Sequence, residues 1–233
     1  MEIKVIASGS SGNAYRVSDG VTSLLLDAGV PLAKLRKALG FRVSALDGCL
    51  VSHCHMDHSR AVEELLRAGV NVYTSTGTIE ALTLAGHRVK RLQALCEVEI
   101  GTFAVLPFDV AHDAPEPLGF LLTSRATKEK LLYVTDTFYL KYRFQGLTHI
   151  MCECNYDEER LRESVEAGRV PEELAKRLHK SHMRLDRFLD LLRANDLSKV
   201  RQIYLLHLSS NNSDAEHFRE ATERLTGCEV YVC

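Results

Sequence analysis

Apolar positions along the chain follow two rhythms. Short runs dense in Val, Ile and Leu occur at "EIKVIA", "TSLLLDA", "GCLVS", "NVYTS", "TFAVLPFDVAH", "LGFLLTS", "KLLYVTD", "THIMCEC", "QIYLLHL" and "CEVYVC", and read as strands. Between them, apolar residues spaced by three or four predict helices at "PLAKLRKALG", "DHSRAVEELLRAG", "GTIEALTLAG", "PEELAKRLHKSHMRLDRFLDLLRAN" and "SDAEHFREATERLTG". The fourth is interrupted by polar "HKSHM", which predicts a helix break or a loop that carries function. Several strand candidates are apolar throughout, as in sheets covered on both faces or packed face to face. The pattern predicts an α/β chain with helices outside two sheets. There is no internal repeat, low-complexity tract or Pro/Ser-rich linker, so residues 1–233 read as a single domain.

Composition narrows the class. Hydrophobic residues make up 45% and charged residues 26%, which excludes disordered and fibrous chains. The amino terminus lacks the apolar core of a secretory leader, and no run reaches about 18 apolar residues, so a cytoplasmic protein without a membrane partner is expected. Seven cysteines without a repeated CxxC spacing fit reduced thiols. A net charge of −2 means that a polyanion would have to meet a local basic patch rather than the whole molecule. Residues 174–187, "LAKRLHKSHMRLDR", hold five Lys or Arg and two His against one Asp, and offer either such a patch or a solvated helix face.

Chemistry-bearing residues gather where predicted strands end: Asp27 after "SLLL", His53 after "CLVS", His112 after "FDVA", Asp136 after "YVT" and His207 after "IYLL". In layered α/β proteins, loops from separate strands converge at that edge. The densest point is "SHCHMDHS", with His53, His55, Asp57 and His58 in six positions. Crowding such groups beside a buried strand costs desolvation unless they bind something, and metal is the simplest partner. His53 and His55 alternate toward one side, while Asp57 and His58 open the next helix, so the turn can feed two ions. Each pair is short of a closed shell, and His112, Asp136 and His207 are the candidates to complete them. Cys54, alternating away from the two histidines, is read as a buried thiol. The isolated His87, His149, His179 and His217 read as structural.

The sequence His53-Cys54-His55-Met56-Asp57-His58 resembles the HxHxDH signature of the metallo-β-lactamase fold superfamily, and "AHDA", "VTDT" and "LLHLS" stand where its later ligands lie. The resemblance implies an αββα four-layer sandwich. It also implies His53, His55 and His112 on a first metal, Asp57, His58 and His207 on a second, and Asp136 bridging, with Asp27 as structural support. "ASGSSGNAYRV", "SHCHMDH", "AHDAPEPLGF", "YVTDT", "ECNYDEE" and "HLSSNNSD" together are similar to the YycJ (WalJ) branch of exonuclease-like hydrolases. Around His182, "SHMRLDRFLDLL" departs from the glycine-histidine segment of that branch.

Imidazole and carboxylate ligands without thiolate suit two divalent ions, Zn or Mn, with Fe also compatible. Two metals can share a hydroxide nucleophile and neutralise charge in phosphodiester cleavage. In that reading Asp57 and Asp136 are catalytic as ligand, orienter and bridge, and His182 is a donor to the leaving oxygen or to a substrate phosphate. Small residues in "SGSSGN" could let Ser8, Ser10, Ser11 and Asn13 approach a phosphate, or simply form a hairpin turn. Lys180 and Arg184 are further substrate-binding candidates. The leading expectation is a phosphodiesterase or exonuclease acting on DNA or RNA. A hydrolase of a small cyclic phosphodiester, thioester or lactone, and a non-catalytic metal-binding regulator, are the alternatives.

Overall fold

The computed structural model describes residues 1–233, and the chain divides into two compact units: 1–109 with 114–129, and 110–113 with 130–233. In the first unit, strands β1 (Glu2–Ala7), β2 (Ala14–Ser18), β3 (Ser23–Leu26), β4 (Gly48–Leu50), β5 (Val72–Ser75) and β6 (Val89–Leu92) form a six-stranded sheet in chain order. The first three strands are antiparallel and the last four parallel, with Leu24 paired to Gly48 and Leu26 to Leu50 between β3 and β4. The same unit holds the antiparallel run β7 (Val98–Ile100), β8 (Phe103–Asp109) and β9 (Leu118–Ser124).

Parallel pairing needs crossovers, and helices α1 (Leu32–Ala38), α2 (Met56–Ser59), α3 (Val62–Arg67) and α4 (Thr76–Ala81) occupy those connections. Leu32 and Leu35 of α1 and Val62 and Leu65 of α3 pack with Leu25, Val51 and Val72 of the sheet in one buried cluster. The single helical pattern expected over "DHSRAVEELLRAG" is two helices. The Ala61 amide donates to the Ala28 carbonyl (2.8 Å), which turns the chain between them.

In the second unit, β10 (Lys130–Val134), β11 (His149–Glu153), β12 (Gln202–Leu206) and β13 (Glu229–Val232) are parallel neighbours, with Glu153 paired to Leu206. All five residues of β11 are buried, as a parallel strand covered on both faces requires. Helices α5 (Glu158–Glu166), α6 (Glu172–Ser181), α7 (Leu185–Arg193) and α8 (Ala215–Thr226) complete the unit. The polar interruption divides α6 from α7 at residues 182–184, where His182 is extended at φ −131°. Helix α7 then buries Leu185, Phe188, Leu191 and Leu192 on one face.

Strands β2, β6 and β7 and helix α5 carry little of the periodic signal. Strand β6, "VKRL", buries only its last residue, and β7 has three residues. Helix α5 buries only Leu161 and Ser164; its start is fixed instead by Asp157, whose side chain accepts from the Glu159 and Arg160 amides.

Candidate metal centre

In the first unit, β4 delivers the chain into Ser52, His53 and the short helix α2. His53 and His58 are buried, whereas His55 and Asp57 are partly open to solvent. The ligand atoms of His53 and His55 lie within 4.8 Å of each other, and so do those of Asp57 and His58. The His53 ring meets His55 edge-on, with centroids 4.8 Å apart, and lies 4.2 Å from His58.

Asp27 sits under this turn with no exposed surface. Its Oδ1 accepts from the Ser52 amide (2.7 Å), and its Oδ2 accepts from the Ser52 hydroxyl (3.0 Å) and lies 2.7 Å from His58 Nδ1. With Nδ1 protonated toward Asp27, the His58 lone pair is on Nε2, which lies 3.4 Å from Asp57 Oδ2. His53 is oriented in the same manner: its Nδ1 lies 3.0 Å from Ser52 Oγ, whose own proton is directed to Asp27.

The "SGSSGN" segment supports this turn from the other side. Asn13 is fully buried; its Oδ1 accepts from the Gly9 amide (3.0 Å) and the Tyr15 hydroxyl (3.0 Å), and its Nδ2 lies 3.1 Å from His58 Nε2. Ser8 Oγ lies 2.8 Å from the Tyr15 oxygen and can donate to it, while Ser10 and Ser11 are exposed. Close approach is obligatory here. A Cβ on Gly29 would lie 1.6 Å from the Asp57 carbonyl oxygen, and one on Gly12, at φ +141°, would lie 2.4 Å from the Gly29 oxygen. Cys54 is half-buried rather than buried, and burial raises its thiol pKa, so it does not offer a ready thiolate.

In the second unit, the ligand atoms of Asp136, Glu153, His182 and His207 lie within 4.8 Å of one another. Asp136 accepts from the Thr135 hydroxyl (2.8 Å) through Oδ1, which also lies 3.6 Å from His207 Nδ1. His112 Nδ1 donates to the Ser181 carbonyl (3.0 Å), leaving Nε2 3.6 Å from Asp136 Oδ2 and 3.2 Å from Asp113 Oδ1. Burial holds the His112 pKa below its usual value despite the opposing pull of Asp136, which favours the neutral imidazole, the form able to bind a metal.

Glu153, the last residue of β11, is central to this unit, yet the sequence reading did not single it out. It has no exposed surface and accepts from the Thr137 amide (2.9 Å), the Met183 amide (3.1 Å) and His182 Nδ1 (2.5 Å), and lies 3.2 Å from His207 Nδ1. Burial alone would raise its pKa, but His182 outweighs that and holds it low; reciprocally, burial depresses His182 and Glu153 more than reverses it, so His182 is raised. The His182 ring stacks on His207 at 5.3 Å and 19°. Asn155, two residues on, donates to the His207 carbonyl (2.7 Å). The signal for Glu153 was present in the sequence: an acidic residue closing an apolar run, as at Asp27 and Asp136.

Two substrate-binding candidates fare differently. Arg184 is paired twice with Asp186 (2.5 and 2.6 Å) and once with Glu158 (2.8 Å), so a phosphate would compete with these carboxylates for it. Lys180 remains exposed at the end of α6.

The donor set fits divalent metal. His53, His58, His112 and His207 each have Nδ1 against a protein oxygen, which places the lone pair on Nε2, and carboxylates stand beside them. A metal-dependent hydrolase of the metallo-β-lactamase fold is the class defined by this fold and these side chains, and the chain belongs to the β-lactamase superfamily domain family, whose pattern matches residues 22–208. It is 29% identical over 240 residues to exodeoxyribonuclease YycJ of Bacillus anthracis, covering 97% of this chain and 89% of that protein. It is 26% identical over 227 residues to exodeoxyribonuclease WalJ of Streptococcus pneumoniae, covering 91% and 83%. The solved metallo-β-lactamase fold protein YhfI of Bacillus subtilis superposes with a TM-score of 0.72 at 17% identity, over 99% of this chain and 95% of that one. No helix of the structure is long and apolar enough to cross a membrane.

Proposed function

We propose that this hydrolase is a phosphodiesterase that removes nucleotides from nucleic acid, with DNA the favoured substrate. His53, His55, Asp57 and His58 of the first unit, and His112, Asp136 and His207 of the second, are the residues that would serve as ligands to divalent ions. Bound there, two such ions supply Lewis acidity toward phosphoryl oxygens and lower the pKa of water.

The observation that carries the reading is the pair Glu153–His182 beside Asp136 and His207. A sugar alkoxide is a poor leaving group, and its departure calls for a proton donor. Glu153 favours the imidazolium of His182 and fixes Nδ1 toward itself, leaving Nε2–H as the donor. When protonated, His182 would also attract a phosphate, whereas a neutral lactone or thioester gains less from it. Both exodeoxyribonuclease relatives, which match nearly the full chain, support the choice of DNA.

The test strips the protein with chelator, reloads it with Zn²⁺ or Mn²⁺, and supplies end-labelled single- and double-stranded DNA and RNA alongside a small ester. Metal-dependent release of nucleotides, absent in Asp57→Ala, is expected. Turnover of the ester with no cleavage of any nucleic acid would overturn the reading.

A further inference from the structure

A cavity of about 500 Å³ lies wholly within the second unit, lined by Tyr139, Lys141, Tyr142, Arg143, Met183 and Arg187 among others. One wall is the loop that follows Asp136. The other begins at Met183, next to His182, and continues along α7.

The loop is anchored. The Thr137 hydroxyl donates to the Tyr139 carbonyl (2.8 Å), the Phe144 amide donates to Asn195 Oδ1 (2.6 Å), and Leu140 and Phe144 are buried. Tyr139 nonetheless leaves 55% of its surface exposed. A large ring held out on a pinned loop loses little conformational entropy when a flat partner stacks on it.

Charge around the cavity is positive. Lys141, Arg143 and Arg187 are exposed, and the one acid in the lining, Asp190, is bonded by Arg193 (2.8 Å). Arg187 lies over the Phe138 ring at 5.7 Å and donates to its carbonyl (3.3 Å), and Lys141 lies 5.1 Å from the centre of the Tyr142 ring. Cations interleaved with rings on a concave surface match a polymer that alternates phosphates with exposed base faces. Single-stranded nucleic acid has that form, whereas a duplex conceals its base faces.

We propose that this groove binds the single-stranded portion of the nucleic-acid substrate, with a base stacked on Tyr139 and backbone phosphates against Arg143 and Arg187. The proposal rests on the nuclease reading and gives it a substrate form. Tyr139 lies three positions after Asp136, a Cα reach of at most about 11 Å, which sets the stacked base within a few nucleotides of the phosphate being cleaved.

The test is fluorescence anisotropy of the metal-free full chain, which permits binding without metal-dependent cleavage, using a fluorescein-labelled single-stranded DNA oligonucleotide and a blunt hairpin duplex. Tyr139→Ala is expected to weaken single-strand binding about 5- to 100-fold, the range for one lost stack, and Tyr139→Phe to retain it. Arg143→Ala is expected to reduce the slope of log affinity against log salt by about 0.7. Hairpin affinity should be unmoved by Tyr139→Ala. Unchanged single-strand affinity in both alanine variants, or an equal loss on the hairpin, would overturn the groove while leaving the nuclease reading intact. Failure of the unsubstituted protein to bind any oligonucleotide would instead overturn the groove together with the nucleic-acid reading on which it rests. Melting curves matching the parent chain establish that each variant is folded.

Discussion

His182 Nδ1 lies 2.5 Å from Glu153 Oε1, an oxygen on a carboxylate that has no contact with solvent. In the metal-free protein, His182 is therefore expected to titrate above 6.5, and Glu153→Gln to bring it down. Because the folded pKa is raised, the stability contributed by His182 is complete below about 6.5 and is lost as pH rises through the higher folded value. Imidazole NMR titration of the two proteins measures the shift, and urea unfolding at several pH values checks the linkage.

Replacing His182 by Ala removes the proposed donor while leaving the proposed metal ligands in place. The expected loss in kcat on DNA is about 10²- to 10⁴-fold, with metal content unchanged. Steady-state kinetics paired with metal analysis separates this from loss of the ions.

Asp27→Ala should act through metal affinity. It removes the acceptor that orients His58 and the one that positions Ser52 beneath His53. Divalent-ion affinity is expected to weaken about 10- to 100-fold, and equilibrium dialysis reads it directly.

Gly29→Ala is expected to destabilise the metal-free chain by about 3 kcal/mol or more, since the added methyl would overlap the Asp57 carbonyl and there is no flexible side chain to yield. Urea unfolding measures this, and Gly9→Ala, where a Cβ meets no atom within 4 Å but φ is +113°, separates backbone strain from collision.

Asp19 links pH to stability elsewhere in the first unit. Burial would raise its pKa, but hydrogen bonds from Ser124, Thr102 and the Thr22 and Val21 amides outweigh burial and hold it at about 2, below the ordinary 3.8. Its contribution is present above about 3.8 and disappears as pH falls toward about 2. Asp19→Asn should flatten the acid limb of a stability curve over that window.

What the sequence made legible follows from its periodicities. The long apolar strands β8, β9, β11 and β12 and the amphipathic α7 had continuous patterns to read. Strands β6 and β7 did not, because they are short and mostly exposed; β2 is largely buried, but Arg16 and Ser18 break its apolar run, and α5 buries only Leu161 and Ser164 behind an Asp157 cap. The division into two compact units left no mark either, since the second unit takes up residues 110–113 from within the span of the first without any linker-like composition. The spacing of the HxHxDH stretch was plain, whereas the hydrogen bonds that set its tautomers, and the burial of Glu153 between two histidines, depend on contacts distant in sequence.

Asp27 and His207 both adopt left-handed backbone, at φ 56° and 54°, each directly after a strand. Residues with a side chain pay roughly 1 kcal/mol or more for that conformation, which glycine adopts freely. His207→Gly would thus relax the turn at the same stroke as it deletes the imidazole. At these two corners the strained backbone is held in place by the buried contacts of the side chains themselves, Asp27 with Ser52 and His58 and His207 with Glu153, so the turn and the polar network stand or fall together.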